Sequence, residues 1–382
     1  MDRGTFIRTV AGGTAALLPL PAVSGCEGKD SPAFEAWNGP PPAAGTDDPR
    51  LAILSWAVLA PSALNLQPWW VDLSGEPLLV HADRRRLLPA TDPDARQTFM
   101  STGTFIEFMA LAAKAAGHRP EVTLFPRGIP PAPEDLDEYP LARIDLVRDP
   151  AVQRDPLFDA FPLRRTNRFA YDGPPLTAKE EHALREAAVE GTAIRIVTDP
   201  AAVNAVAALA AEGLRREDES FTMYAESIGM VRFGTDELER RRDGMDLNSL
   251  GFRGLDLFLM RMFRSRNDLF TEGFRERYLA LARGAVFSAR AFGVVTTPAS
   301  SRAGDVDAGR AFARVHLTAT SLGLALQPFA QVFRFADLAE RLAGVMNTGN
   351  VRGHLLFRLG RASAPPRTAR RAVRAFVGLH TA

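Results

Sequence analysis

The chain has 382 residues, 46% hydrophobic and 24% charged, with a formal net charge of +1. This length and apolar content support a large packed core of about two domain-sized units, and nothing in the near-neutral balance points to nucleic acid or to acidic lipid. The single cysteine, Cys26, excludes an internal disulfide and a cysteine-based metal site.

Arg3 and Arg8 precede a weakly apolar run, Thr9 to Val23, which ends in Val23-Ser24-Gly25-Cys26. A positive start, an apolar core too short to span a bilayer and small residues before a cysteine predict an export signal over 1–26. The last four residues resemble a bacterial lipobox, in which Cys26 is lipidated. A plain export signal and a buried N-terminal helix are the alternatives. Asp2-Arg3-Gly4-Thr5-Phe6-Ile7 looks like a twin-arginine signal without its first arginine. Residues 27–49 are rich in Pro, Gly, Ala and Asp and predict a flexible linker.

Helical spacing follows over Leu51–Leu59, then two short strands, Trp70–Leu73 and Leu78–His81, around a Ser-Gly-Glu-Pro turn. A long helix is predicted over Arg96–Ala116, with Phe99, Gly103, Ile106, Ala110 and Ala113 on one stripe and Gly117 as its stop. Strands at Val122–Phe125 and Ala142–Val147 complete a first half, 50–150. The second half, 151–382, opens with a capping box at Thr177-Ala178-Lys179-Glu180. It continues with a helix over Thr177–Val189, a strand at Ile194–Val197 and a helix over Pro200–Tyr224. Residues 228–275 depart from the core pattern and predict an excursion that could act as a lid. Helices at Glu276–Phe292, Ala308–Leu322 and Ala336–Leu342 alternate with strands at Gly293–Thr297 and Leu355–Leu359, before a basic tail. The two halves are faintly alike. Leu51–Leu73 and Leu279–Thr297 are each a helix followed by a strand, and the long helices after them end at Gly117 and Gly323. An internal duplication would put a ligand site between the halves.

Three stretches carry chemistry. Ala60-Pro61-Ser62-Ala63-Leu64-Asn65-Leu66-Gln67-Pro68-Trp69-Trp70 sets short polar side chains beside aromatic surface. Its two prolines stop the preceding helix. Such a turn suits a flat, polar-edged heterocycle, although an ordinary helix-to-strand turn has similar composition. Arg164-Arg165-Thr166-Asn167-Arg168 lies in a loop, and Arg367-Thr368-Ala369-Arg370-Arg371 in the tail. Each is either a solvated basic segment or a set of charge-assisted donors for a phosphate dianion. No clustered His spacing, nucleophile elbow, P-loop or Rossmann fingerprint is present. No acid–base pair or nucleophile stands out, which points to chemistry carried by a cofactor.

Ala60-Pro61-Ser62-Ala63-x-Asn65-x-Gln67-Pro68-Trp69 resembles the signature turn of the flavin-dependent nitroreductase superfamily. Arg164-Arg165-Thr166-Asn167-Arg168 is similar to that family's phosphate-binding element. Asp92-Pro93-x-x-Arg96, Gly323-Leu324-x-x-Gln327-Pro328, and Leu356-Phe357-Arg358-Leu359-Gly360 with a closing Arg-Arg look like the Acg-type branch. The resemblance implies an α+β fold, a nitroreductase-like mixed sheet flanked by helices, with two pseudo-repeated halves in one chain resembling a nitroreductase dimer.

It also implies FMN as cofactor. Pro61, Ser62, Ala63 and Asn65 would meet the ring, and Arg164, Arg165, Thr166 and Arg168 the phosphate and ribityl chain. Gly323 and Leu324 would lie near the ring edge, and Arg370 or Arg371 would close over the phosphate. Leu64 and Leu66 stand where the family usually has polar residues. The activity implied is transfer of hydride or electrons from reduced flavin to a quinone or nitroaromatic, by a functional monomer using a small-molecule donor and acceptor. The alternative is an FMN-binding or sequestering protein without turnover, which the scarcity of NAD(P)H outside the cytoplasm favours. A phosphate-ligand binding lipoprotein is a third reading. No metal or nucleic acid is expected. The membrane is expected to be met only through the N-terminal anchor, on an exported, periplasmic or membrane-anchored protein.

Overall fold

The computed structural model describes residues 31–40, 48–263 and 265–378. The expected signal and Cys26 lie outside them. Helix α1 (Pro49–Ala57) starts where the Asp48 carboxylate accepts from Arg50 N at 2.9 Å and proline takes the first turn. Strands β1 (Trp69–Asp72) and β2 (Leu78–Ala82) form the expected hairpin. Helix α2 (Arg96–Ala115) is held at its start by Asp92, whose carboxylate accepts from Gln97 N at 2.8 Å and Thr98 N at 3.0 Å. From Arg96 to Ala113 only Gln97 escapes burial, so the single apolar stripe of the sequence becomes a helix enclosed on every side. Strands β3 (His118–Leu124) and β4 (Ala142–Arg148) follow.

The second half runs α3 (Ala178–Arg185), β5 (Ala193–Val197), α4 (Pro200–Glu219), α5 (Phe221–Gly229), α6 (Thr235–Arg241), α7 (Gly254–Phe263), α8 (Glu272–Phe287), β6 (Ala291–Thr297), α9 (Arg302–Ser321), β7 (Ala325–Phe329), α10 (Ala336–Met346) and β8 (Arg352–Gly360), and β9 (Val377–Gly378) closes the chain. The expected helix Pro200–Tyr224 is two helices, because Ser220 takes an extended conformation between them. Helix α9 begins at Arg302 rather than Ala308, where the Ser301 hydroxyl accepts from Gly304 N.

The fold is α+β, with two sheets flanked by helices. Their strand orders are β3-β4-β2-β1-β9 and β5-β6-β8-β7. Read from the other edge, the second is β7-β8-β6-β5, and every pairing within these two four-strand sets is antiparallel. The chain therefore passes twice through helix, strand, strand, helix, strand, strand. The register of that repeat differs from the expected one: α1–β1 corresponds to α3–β5, not to α8–β6. Helices α4 to α8 are inserted between β5 and β6, where the first repeat has only a tight turn.

Helices α2 and α9 correspond, end at Gly117 and Gly323 as expected, and cross at a reciprocal glycine contact. A Cβ on Gly103 would sit 2.0 Å from Val306 O, and one on Gly309 2.0 Å from Met100 O. Glu107 of α2 fastens the crossing to Arg310 (3.1 Å) and Arg314 (3.0 Å) of α9.

Two expected boundaries change. The tail is not a separate basic segment of the second half, because β9 pairs in parallel with β1 and joins the first sheet. The linker is not flexible throughout. Pro32–Asn38 forms a 3₁₀ turn, Trp37 is 2% exposed, and its indole donates to Thr368 O at 2.8 Å. The 228–275 excursion has a small core of its own, in which Tyr224, Ile228, Met245, Phe252, Met260 and Phe274 meet. Among the described residues no helix is long and apolar enough to cross a membrane.

Gly309→Leu is expected to cost about 3 kcal/mol through overpacking against the α2 backbone. Gly344→Ala, in open space on α10, is expected to stabilise by about 0.5 kcal/mol. Urea unfolding of the two variants measures both.

Candidate functional site

The signature turn is held by left-handed backbone and short polar bridges. Leu64, Asn65 and Gln67 have φ of 47°, 57° and 53°, which costs non-glycine residues energy unless neighbours impose it. The Ser62 hydroxyl accepts from Gln67 N at 2.9 Å. From α2, Thr104 donates to Pro61 O at 2.5 Å and the Ser101 hydroxyl accepts from Ala63 N at 3.1 Å. Asn65 donates to Gly244 O (2.8 Å) and Ala369 O (3.0 Å), while Gln67 donates to Arg242 O (2.9 Å) and accepts from Arg371 N (2.8 Å). The turn thus joins α2, the excursion and the tail.

Two connected clefts open beside it. One is lined by Ser62, Asn65, Arg164, Arg165, Arg168 and Arg370. The other runs along Pro61 to Leu64 toward Gly309 and Phe312 of α9, Pro328 near the end of β7 and Gln331 beyond it. Pro61, Ser62, Thr166 and Arg168 border both. The arginine loop is stitched to the second sheet, since Thr166 bridges Leu326 and Asn167 N donates to Leu326 O at 2.9 Å.

The first cleft is a buried cationic end. Arg164 is 2% and Arg370 3% exposed. Arg164 donates to Leu59 O at 3.2 Å, but its Nε and Nη1 have no partner, nor does the Nε of Arg370. Arg370 otherwise meets the Asn65 carboxamide oxygen and Leu59 O. Arg168 donates to Ser249 O at 2.9 Å. Arg165 lies over the Trp37 ring at 4.1 Å, with Arg370 at 5.2 Å from the same ring.

Burial first, then the charges of Arg370 and Arg165, hold Arg164 well below the ordinary arginine range. Burial and then Arg165 push Arg370 down to about 9. No carboxylate figures among the charges acting on either group. Clustered cations with unpaired donors are costly in a dry site and suit a dianion with several acceptor oxygens. His316 lies behind the loop, with its Nε2 3.0 Å from Arg165 O. Burial, then Arg164, hold it well below the usual imidazole range, so it is neutral at pH 7 and donates from Nε2 to that carbonyl.

The structure brings Pro61, Ser62, Ala63, Asn65, Arg164, Arg165, Thr166, Arg168 and Arg370 to the paired clefts. It does not bring Arg371, Gly323 or Leu324. Arg371 points away into the first sheet's end, donating to Gln67 O (2.8 Å) and Trp69 O (2.9 Å), with Asp83 3.6 Å away. Gly323 caps α9 with φ 69°, and Leu324 enters the hydrophobic layer beside Leu326 and Phe357. The cleft lies at the far end of β7, so Pro328 and Gln331 reach it instead.

Leu64 lines the second cleft and also packs on the core of the excursion, whereas Leu66 is buried. Trp37, Glu217 and Arg334 also reach the clefts and were missed by sequence reasoning. Trp37 sits in the expected linker, and the Glu217–Arg334 ion pair joins residues far apart in the chain. Only the aromatic placed among Pro and Gly at 32–42 gave any signal.

These features define an α+β protein with an elongated cleft, cationic at one end and largely apolar at the other. No family model matches the chain. It is 37% identical to the uncharacterized protein Rv3127 of Mycobacterium tuberculosis over 168 residues, 42% of this chain and 47% of that protein. It is 30% identical over 178 residues to the protein provisionally named NAD(P)H nitroreductase acg, also of Mycobacterium tuberculosis, covering 46% of this chain and 52% of that one. The chain spans about half the length of the curated relatives it matches. Among solved structures, the FMN-dependent nitroreductase NfnB from Mycobacterium smegmatis in complex with NADPH overlaps with a TM-score of 0.36 at 16% identity, over 56% of this chain and 92% of that one.

Replacing a buried, partly unpaired cation by an apolar side chain of similar length removes its desolvation cost. Arg164→Met is expected to leave the ligand-free protein as stable as wild type or about 1–2 kcal/mol more stable. It should also reduce the stabilisation that added inorganic phosphate confers on the wild type. Urea unfolding with and without phosphate measures both effects.

Proposed function

We propose that this protein is an FMN-dependent oxidoreductase of nitroreductase type, working as a monomer whose two repeats stand in for two subunits. The observation that carries this reading is the set of buried guanidinium donors without partners, at one end of a cleft whose other end is apolar. The donor set fits a phosphate monoester. Arg164, Arg165, Arg168 and Arg370 would hold the phosphate, with Ser62 and Thr166 beside the sugar alcohol. The ring would be held between the 61–64 turn and α9. When bound, FMN supplies two-electron chemistry between a small-molecule donor and an electron-poor acceptor such as a quinone or nitroaromatic.

The protein's own contributions are binding, orientation and exclusion of water. The strained 64–67 backbone is fixed before any ligand arrives, so little ordering accompanies binding. The excursion covers the turn. Its Asp243 pairs with Arg86 (2.6 Å) and with Arg232 (2.7 Å), and Gly244 N donates to Asn65 O at 3.1 Å. This fastening favours a second reading, an FMN-holding protein without turnover, because a donor must reach the ring past it.

Purified protein is expected to show flavin absorbance bands or to take up added FMN. Absence of both removes the two readings together. Anaerobic NADPH should bleach the bands, and a quinone should restore them; a spectrum indifferent to donors selects the storage reading. Arg165→Ala with Arg168→Ala is expected to abolish FMN retention, and unchanged occupancy removes the phosphate assignment.

We also propose export as a lipoprotein, on the strength of Val23-Ser24-Gly25-Cys26. Cys26→Ser should then move the protein out of the membrane fraction, and unchanged fractionation argues against lipidation.

A further inference from the structure

The excursion buries most of its apolar surface, and helix α7 (Gly254–Phe263) is the exception. One side of α7 turns Leu257 and Met260 into the excursion's core. The other carries Leu255, Phe258, Leu259 and Met262, all exposed, Leu255 at 65% and Met262 at 61%. Their spacing puts the four on one face of the helix. Phe270, beyond the helix end, is a further exposed ring. Single exposed apolar residues are ordinary on a surface, but a continuous stripe marks a place where a protein meets something apolar.

Two observations point to what covers it. The first is charge. Residues 253–270 hold four arginines against two aspartates. Arg261 flanks the stripe on one side and meets Asp246 only at 3.9 Å. On the other side Arg277 of α8 pairs with the exposed Asp256. Surface pairs of this kind are weak and leave the flanks available to other anions. A basic amphipathic helix of ten residues is too short to cross a bilayer and suits its headgroup boundary. A second copy of the chain fits less well, because a two-fold contact would set the same basic flanks against each other.

The second observation is where the chain enters the fold. The Ser31 hydroxyl donates to Glu239 of α6 at 2.7 Å, and Glu35 lies 3.7 Å from Arg242 at the end of that helix. Arg266, just past the end of α7, pairs with Glu237 of α6. Cys26 precedes Ser31 by five residues, which reach at most about 18 Å when extended. A lipid on Cys26 would therefore keep α6, and the end of α7 fastened to it, within reach of the bilayer. This second argument rests on the lipidation proposed above, and the first does not.

We propose that the exposed face of α7 is a membrane-docking surface, lying in the headgroup region of a bilayer that contains anionic phospholipid. The apolar stripe enters the acyl boundary, and the flanking arginines meet lipid phosphates.

Cys26→Ser removes the lipidation residue and the only cysteine, so one new cysteine can carry an NBD fluorophore on the full-length protein. With Cys26→Ser/Met262→Cys, vesicles of equal parts phosphatidylcholine and phosphatidylglycerol are expected to raise NBD emission at least about twofold, with a blue shift. The same label in Cys26→Ser/Glu121→Cys, exposed on edge strand β3, is expected to stay unchanged. Residues 1–25 are common to both proteins and cannot produce the difference. Adding Leu255→Asp and Phe258→Asp, both at exposed positions, should weaken vesicle partition of the Met262-labelled protein by at least about tenfold. No response at position 262, an equal response at both positions, or unchanged partition in the aspartate variant overturns the proposal. A label already blue-shifted without vesicles, in a particle of dimer mass, gives the face to a second copy and also overturns it. Fractionation of Cys26→Ser decides lipidation separately, because neither labelled protein carries the anchor.

Discussion

The close crossing of α2 and α9 sets the geometry of everything around it. Backbone approach at Gly103 and Gly309 leaves no room for a side chain on either helix, and it clamps the two repeats together along their longest helices. Functional residues flank the contact. Ser101 and Thr104, beside Gly103, hold Ala63 and Pro61 of the signature turn. Gly309 and Phe312 form the opposite wall of the cleft. The distance between the turn and the far wall is therefore set by a helix–helix contact rather than by the loops themselves. Rigid elements place loop residues more precisely than loops place themselves.

Electrostatics then distinguishes the two ends of that cleft. Most arginines near it are structural. Arg371 ties the tail to the first sheet, Arg358 donates to Phe169 O at 2.7 Å, and Arg86 and Arg232 converge on Asp243. Arg164 and Arg370 differ in lining the cleft with unpaired buried nitrogens and no carboxylate acting on them, whereas Arg371, with one unpaired nitrogen of its own, lies outside the cleft with Asp83 3.6 Å away. Folding tolerates such a cost where ligand binding later relieves it. The cluster is built from three distant segments: the 31–40 turn supplies Trp37, the loop supplies Arg164, Arg165 and Arg168, and the tail supplies Arg370.

The excursion answers a different constraint. A five-helix insertion between paired strands must bury its own apolar surface, and it does so around Tyr224, Ile228 and Phe274 and by seating on Leu64. Hydrogen bonds from Asn65 and Gln67 to the 242–244 backbone then make the excursion and the turn one unit. Leu64 is where the two meet, lining the cleft and packing on the excursion's core.

Local rules made much of this legible in the sequence. Proline placement marked the turn, the spacing of Phe99, Gly103 and Ile106 marked α2, and Gly117 and Gly323 marked the helix ends. Ser62 and the 164–168 arginines stood out because their chemistry is unusual at those spacings. What the sequence did not reveal depended on partners far along the chain. It could not show that Pro32–Asn38 docks on Thr368, that β9 joins β1, or that Arg370 turns into the cleft while Arg371 turns away. Adjacent residues of the same type share propensity and charge, and only the tertiary surroundings separate them. Gly323 was legible as a helix stop, but its distance from the cleft was not, because that is set by the length of β7. The sequence by itself determined the segments, their periodicity and the charge they carry. The tertiary structure decided which charges lose their counter-ions and water, since burial and pairing belong to contacts between segments and not to the segments themselves.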